Sequence, residues 1–119
     1  MSGAPRLLLT TCPREHAGRL ADALLGRKLV ACVNRIDGVQ SRYWWKGALD
    51  SAEETLLLLK TRADLVPSVE AALRALHPYE VFELLSLDVE SSAPDYLRWL
   101  AEVTAPPAPP DAPRSRPEA

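Results

Sequence analysis

Apolar runs and amphipathic segments alternate along the first half of the chain. Residues 6–12 form an apolar run that ends in two threonines and a cysteine, which is typical of a strand. After Pro13, apolar residues recur at helical spacing from Ala17 to Leu24 and predict a first helix. Residues 29–47 read as a second strand, with a bulge or turn signal at Asp37-Gly38.

The second half of the chain continues this alternation. A turn near residues 48–51 leads into a leucine-rich strand over residues 55–61, the second strand of a hairpin. A helix follows over residues 65–76 and ends at His77-Pro78, because the residue before a proline disfavours helical geometry. Residues 83–89 predict a fourth strand, and a capping box of Ser92 and Asp95 predicts the start of a last helix.

The predicted order of elements is β-α-β-β-α-β plus a terminal helix. This order predicts an α+β fold, a ferredoxin-like βαββαβ sandwich with two helices on one face of a four-stranded antiparallel sheet. The runs Leu7 to Leu9, Leu56 to Leu59 and Leu84-Leu85 place apolar side chains on both faces of that sheet. Since each buried leucine contributes about 1.5–3 kcal/mol, the second face is expected to pack against another copy of the chain.

Composition and charge exclude several classes of protein. The chain has 119 residues, 47% of them apolar and 25% charged, with a formal net charge of -2. The absence of a basic surplus argues against nucleic acid as a partner, and no apolar run is long enough to cross a membrane. The first sixteen residues lack a secretory apolar region, and two cysteines do not make a disulfide scaffold. We therefore expect a cytoplasmic protein with one folded domain.

The domain is predicted to end near Thr104. Residues 1–104 form the expected ferredoxin-like domain, and residues 105–119 contain six of the eleven prolines and no large apolar side chain. Such a segment cannot bury enough surface to offset its ordering entropy, so residues 105–119 are predicted to be a proline-rich disordered tail. Docking of this segment in a proline-binding groove is the alternative.

Several short motifs occur in order along residues 7–103. They are TTCP (10–13), ACVN (31–34), Ser41-x-Tyr43-x-Trp45-x-Gly47, Glu54 before the leucine strand, Lys60-Thr61, HPYE (77–80) and Glu83. In this order and spacing they resemble the CutA family of divalent-cation-tolerance proteins. One position departs from the family pattern, because Phe82 stands where the family usually has a proline. The resemblance implies a ferredoxin-like homotrimer whose long hairpins wrap neighbouring subunits. It also implies tolerance and binding of copper or other divalent metals, without a settled enzymatic activity.

Candidate metal ligands fall at one end of the predicted fold. Strand one ends where helix two ends and strand four begins, which brings Cys12, His77, Glu80 and Glu83 to the same end. Thiolate, imidazole and carboxylate ligands suit copper or zinc. The first helix is expected to lower the pKa of the Cys12 thiol through its dipole. The alternative is structural, with Cys12 as a small core residue and His77 as a helix cap.

Cys32 begins the second strand, at the opposite end of the protomer from Cys12. A disulfide between the two is therefore not expected, and only a neighbouring subunit could bring them together. Cys32 is a candidate metal ligand on that condition and a core residue otherwise.

A second candidate site uses aromatic residues of the hairpin. Tyr43 and Trp45 share one strand face, and they either pack in the fold or line an inter-subunit cleft. Tyr79 and Glu80, with His77, would give such a cleft its polar groups. Glu54 and Lys60, which flank the leucine strand, are interpreted as edge charges.

The leading functional prediction is a homotrimeric divalent-cation-tolerance protein that binds copper or another divalent metal. The alternative is a trimeric small-molecule-binding regulator that uses the inter-subunit cleft. Catalysis by a Cys12 nucleophile with His77 as base is not expected, because no nucleophile motif surrounds Cys12. An RNA-binding surface is disfavoured, since the central strands carry leucines where stacking aromatics would be needed.

Overall fold

The computed structural model describes residues 3–106, in which four strands and three α-helices follow one another in the predicted order. The elements are β1 (Pro5–Cys12), α1 (Arg14–Gly26), β2 (Cys32–Trp45), β3 (Ala48–Arg62), α2 (Val66–Leu76), β4 (Leu85–Asp88) and α3 (Pro94–Val103). A single 3-10 turn, Ala63–Leu65, leads into α2. The mixed α+β class is confirmed. Most of the proline-rich segment predicted to be disordered, residues 107–119, lies outside the described residues.

The four strands form one sheet in the order β2-β3-β1-β4, and every neighbouring pair is antiparallel. β1 pairs with β3 from Pro5, opposite Arg62, to Cys12, opposite Thr55. β3 begins seven residues before Thr55, so the β2–β3 hairpin projects beyond the end of β1. Along residues 48–54, β3 therefore has β2 on one edge and no strand on the other among the described residues.

Three local features differ from the sequence prediction. The hairpin turns at Lys46 and Gly47, with φ of 51° and 82°, rather than at residues 48–51. Positive φ at both central residues is the geometry of a two-residue turn that matches strand twist, so pairing continues directly into β3. β4 is shorter than predicted, and α3 begins after Ala93 without a side-chain cap, so the predicted capping box does not form.

The core lies between α1, α2 and one face of the sheet. Alternate residues of β1 and β3, including Leu8, Leu57 and Leu59, point to this side and are fully buried. Leu20, Leu24, Val69 and Leu73 from the two helices pack against them: the helical spacing in the sequence puts these side chains on the inner faces. The period of two along the strands thus separates a buried face from an open one.

The open face of the sheet is apolar, as the sequence predicts. Leu9, Leu58 and Leu85 lie side by side on neighbouring strands, and Leu85 is 51% exposed. Leu7 lines a small cavity with Tyr96 and Leu100, which places α3 over one end of this face only. No α-helix within residues 3–106 has the length and apolar content needed to cross a bilayer.

The chain beyond α3 is fixed by a buried arginine. Arg62 donates to Thr104 Oγ1 at 2.8 Å and to the Ala105 carbonyl at 2.7 Å, and its Nε lies 2.9 Å from Asp64. The Ala105 N–H also donates to the Lys28 carbonyl at 2.7 Å. The ordered contacts of the domain therefore extend one residue past the predicted boundary at Thr104.

Candidate functional site

A cleft of about 780 Å³ opens where the β2–β3 hairpin projects past the end of β1. The hairpin forms one wall, and the loop between α2 and β4 forms the other. The lining residues are Thr11, Ser41, Arg42, Tyr43, Trp45, Asp50, Glu54, Pro78, Tyr79, Glu80, Val81, Phe82 and Glu83.

Strand register determines which hairpin side chains reach the cleft. Tyr43 pairs with Asp50, and Val39 pairs with Glu54 across the hairpin. Because directly paired residues share a face, Tyr43, Trp45, Asp50 and Glu54 all lie on one side of it. Trp44 points the other way and is 71% exposed.

Glu54 and Tyr79 join the two walls of the cleft. The Tyr79 hydroxyl donates to Glu54 Oε2 at 2.6 Å, and Glu54 is only 6% exposed. Burial, followed by the hydrogen bond to the Glu54 carboxylate and its charge, raises the pKa of Tyr79 well above its usual range. Glu54 does lie on the stretch of β3 that has no second strand neighbour among the described residues, but it is buried there rather than solvated as an edge charge would be.

The electrostatic character of the cleft is acidic. Asp50, Glu54, Glu80 and Glu83 line it, against the single guanidinium of Arg42. The pKa of the Tyr43 hydroxyl is also raised, first by burial and then by the carboxylates of Asp50 and Glu54. A negative potential of this kind favours cations and disfavours anions.

His77 is committed to backbone hydrogen bonds. Its Nε2 donates to the Thr11 carbonyl at 2.8 Å, and its Nδ1 accepts from the Tyr79 N–H at 3.1 Å. The ring is stacked on Phe82 with centroids 5.2 Å apart, and the residue is 8% exposed. Burial lowers the pKa of His77, so the neutral imidazole is favoured. A metal would have to displace one of these two hydrogen bonds to reach a ring nitrogen.

Cys12 is a core residue in this protomer. Its side chain is fully buried in the cluster formed by α1, α2 and the sheet. Burial raises the pKa of the Cys12 thiol, an effect that outweighs the nearby Arg35 charge. The expectation that the helix dipole favours a Cys12 thiolate is therefore wrong, because desolvation dominates at this position.

Glu83 lies at the end of β1, as the order of elements predicts. The Thr10 hydroxyl donates to its carbonyl oxygen at 2.6 Å, and the Thr11 hydroxyl lies 3.5 Å from its Oε1. Cys12 and His77 are close by, yet residues 3–106 contain no group of three or more His, Cys, Asp or Glu side chains arranged to hold a metal ion. Within one protomer, the donor set does not fit a metal.

Cys32 lies far from this end of the sheet. It pairs with Lys60, which in turn pairs with Leu7, five residues before Cys12. At about 3.3 Å per residue, the two cysteines are separated by roughly 17 Å along the strand direction. The Cys32 thiol is 3.9 Å from Asn34 Oδ1 and takes no part in the cleft.

The structure brings together the four residues predicted for a cleft, Tyr43, Trp45, Tyr79 and Glu80. Sequence reasoning missed the contribution of Asp50, because it began the third strand at Thr55. Extending the period-two pattern back to Ala48 would have placed Asp50 and Glu54 on the same face as Tyr43 and Trp45.

The chain is similar to proteins that carry the name CutA. The family model described as CutA1 divalent ion tolerance protein matches residues 6–103. Protein CutA from Mus musculus is 40% identical over 103 residues, covering 86% of this chain and 58% of the mouse protein. The divalent-cation tolerance protein CutA from Thermus thermophilus is 39% identical over 99 residues, covering 82% of this chain and 96% of its own. The chain thus spans little more than half the length of the mouse relative.

Solved structures give the same result. The crystal structure of CutA1 from Oryza sativa superposes with a TM-score of 0.84 at 34% identity, covering 87% of this chain and 96% of that one. The Thermus thermophilus protein superposes with a TM-score of 0.82 at 38% identity, covering 85% and 99%.

Proposed function

Because the chain belongs to the CutA1 divalent ion tolerance family, we propose that it acts in divalent-cation tolerance, as a homotrimer of ferredoxin-like protomers that binds copper or another divalent cation. The observation that carries cation binding is the cleft, whose four carboxylates face one guanidinium. The matched family and the named relatives support the tolerance role.

Two surfaces support assembly of several copies. The open sheet face exposes Leu85 and Leu87 beside Leu9 and Leu58, and water contact with these side chains is unfavourable. Along residues 48–54, the outer edge of β3 also lacks a strand neighbour among the described residues, and such an edge can accept a strand from another copy. Sheet-to-sheet packing with hairpin exchange would cover both surfaces at once.

In such an assembly the cation would bind at the cleft, with ligands completed by a neighbouring subunit. Glu80, Glu83 and Asp50 are the exposed carboxylates of the cleft, the first two on the loop after α2, whereas Cys12 and His77 are buried. We propose Glu83 and Glu80 as ligands reachable without rearrangement. Ligation by Cys12, His77 or Cys32 stays a prediction, and for Cys12 it requires the core to open.

Isothermal titration of Cu²⁺ and Zn²⁺ into the reduced full chain tests this proposal. Glu83→Gln should weaken binding, while Cys12→Ser should leave it unchanged. Glu90→Gln, an exposed carboxylate outside the cleft, is the matched control. Two results together would instead show that the metal binds an opened core. Binding would be lost in Cys12→Ser, and added copper would lower the melting temperature of the unmodified protein. The absence of any saturable binding would refute the metal function.

We propose that the protein binds its ligand without catalysing a reaction. We also propose that it is located in the cytoplasm. A cysteine nucleophile must reach its substrate as a thiolate, whereas Cys12 is fully buried and its thiol pKa is raised. Incubation with a small alkylating reagent tests this point, because Cys32 should react long before Cys12.

A second candidate function is a trimeric regulator that binds a small molecule in the same cleft. Its volume of about 780 Å³ is in the range of small-molecule sites, and Tyr43, Trp45 and Tyr79 give it the aromatic lining such sites use. Fluorescence of Trp45 during titration with metabolite mixtures would detect such a ligand. A Trp45→Phe variant would identify the responding ring.

A further inference from the structure

The cleft combines aromatic rings with carboxylates. Its walls carry aromatic rings from Tyr43, Trp45, Tyr79 and Phe82, and carboxylates lie between them. Aromatic faces attract cations through their quadrupole, and carboxylates attract them by charge. Both features therefore select the same class of ligand.

Two of these rings already have cations of the chain itself beside them. Lys46 Nζ lies 5.6 Å from the centroid of the Trp45 ring. The Arg74 guanidinium lies 5.1 Å from the centroid of the Phe82 ring. Cationic groups of the chain thus lie within cation–π distance of these rings. Because Phe82 is already stacked on His77 and has Arg74 beside it, the rings of Tyr43, Trp45 and Tyr79 are the ones left for a ligand.

The buried carboxylate of Glu54 gives the cleft a polar anchor. Its Oε2 accepts from the Tyr79 hydroxyl, and no residue within 3–106 donates a hydrogen bond to its Oε1. Within the same range, Arg6 Nε is the one side-chain polar atom that is fully buried and has no hydrogen-bond partner. Since Glu54 Oε1 has no donor either, it must keep some solvent-accessible surface. A 94%-buried carboxylate with one oxygen available is suited to a ligand N–H donor.

We propose that the cleft binds an organic ammonium ion of metabolite size, whose N–H groups donate to Glu54 and Glu80 and whose carbon chain packs on Tyr43 and Trp45. This inference rests on the second function proposed above, a small-molecule regulator, and names the class of its ligand. A bare divalent ion needs several ligands converging on one point, and the described residues offer no such group in one protomer. A longer organic cation can satisfy carboxylates that are spread over the cleft.

Titration of 1,4-diaminobutane into the full chain in the presence of EDTA tests the inference without interference from metal. Its uncharged analogue of equal length, 1,4-butanediol, is the ligand control. The variants are Glu80→Gln, which is exposed and carries little folding risk, and Glu54→Gln, which keeps an acceptor for the Tyr79 hydroxyl. Glu90→Gln is the matched control outside the cleft.

Saturable binding of the diamine, at least about tenfold weaker in Glu80→Gln and Glu54→Gln and unchanged in Glu90→Gln, is the expected result. Binding should also weaken with added salt. No binding, or equal binding by all variants, overturns the inference. Equal binding of the diol also overturns the inference, although it remains consistent with a small-molecule function. Copper binding without diamine binding overturns the inference and is consistent with the metal function.

Discussion

The hydrogen bond between Tyr79 and Glu54 joins the loop after α2 to the hairpin, and Tyr79→Phe removes it with almost no change of shape. The donor–acceptor distance is 2.6 Å, and Glu54 is 6% exposed. The variant therefore leaves a carboxylate buried without its donor, while the ring and its packing against His77 remain.

The cost follows from the charge of the acceptor. Hydrogen bonds to charged groups contribute about 1.5–3 kcal/mol, and leaving a buried acceptor unpaired costs a similar amount. Tyr79 itself is half-buried, so water can partly replace its hydroxyl, and the lower end of the range, about 1.5–2 kcal/mol, is expected. In a double-mutant cycle, combining Tyr79→Phe with Glu54→Met, which removes the acceptor, should give a coupling energy of about 1 kcal/mol or more.

The assay is urea unfolding of the full chain at one fixed protein concentration, because stability depends on concentration in an oligomer. Tyr96→Phe is the matched control, since the described residues give its hydroxyl no hydrogen bond. A free energy of unfolding for Tyr79→Phe within about 0.5 kcal/mol of the unmodified protein would refute the reasoning.

The same contact predicts an alkaline dependence. Because the pKa of Tyr79 is raised in the folded state, the unfolded phenol ionises first, near pH 10. The stability contributed by this group is complete below pH 10 and is lost as pH rises above it. Tyr79→Phe should remove more of this alkaline loss than Tyr96→Phe.

Four further predictions test other parts of the molecule. Leu58→Asp, on the open sheet face, should abolish the proposed trimer, and sedimentation equilibrium giving an unchanged mass would contradict that. Burial lowers the pKa of His77, so the unfolded imidazole takes up a proton first and stability should fall as pH drops below about 6.5. A His77→Gln variant whose stability has the same pH profile would argue against this assignment. Arg62→Met should cost about 3 kcal/mol in urea unfolding, because it unpairs Asp64 and Thr104, whereas the exposed Arg98→Met should cost almost nothing. A chain that ends at Pro106 should keep the full chain's unfolding midpoint, while one that ends at Thr104 loses the two hydrogen bonds of Ala105 and about 1–2 kcal/mol.

The sequence alone determined the order of the elements and the two-sided apolar sheet. Both are local properties: helical or strand periodicity is written within a dozen residues, and alternation along residues 55–61 already separates Leu57 from Leu58. The order of elements also brought Glu83 and His77 to the end of β1, because alternating directions leave only two ends for chain segments to meet.

The hairpin turn was less accessible from sequence. Lys46 adopts a positive φ that a lysine does not favour by itself, and long strand pairing on both sides fixes it there. A turn at residues 48–51 was the local preference, and tertiary pairing overrode it.

Only the tertiary structure decided the chemistry of the candidate site. Whether Cys12 is a thiolate ligand or a core residue depends on desolvation by α1 and α2, which no spacing of residues encodes. The tautomer of His77 is set by a carbonyl 66 residues away, and the burial of Glu54 by a tyrosine 25 residues away. Protonation states and hydrogen-bond partners are properties of the assembled environment, because they follow from charges and burial contributed by distant segments, whereas periodicity is a property of the segment itself.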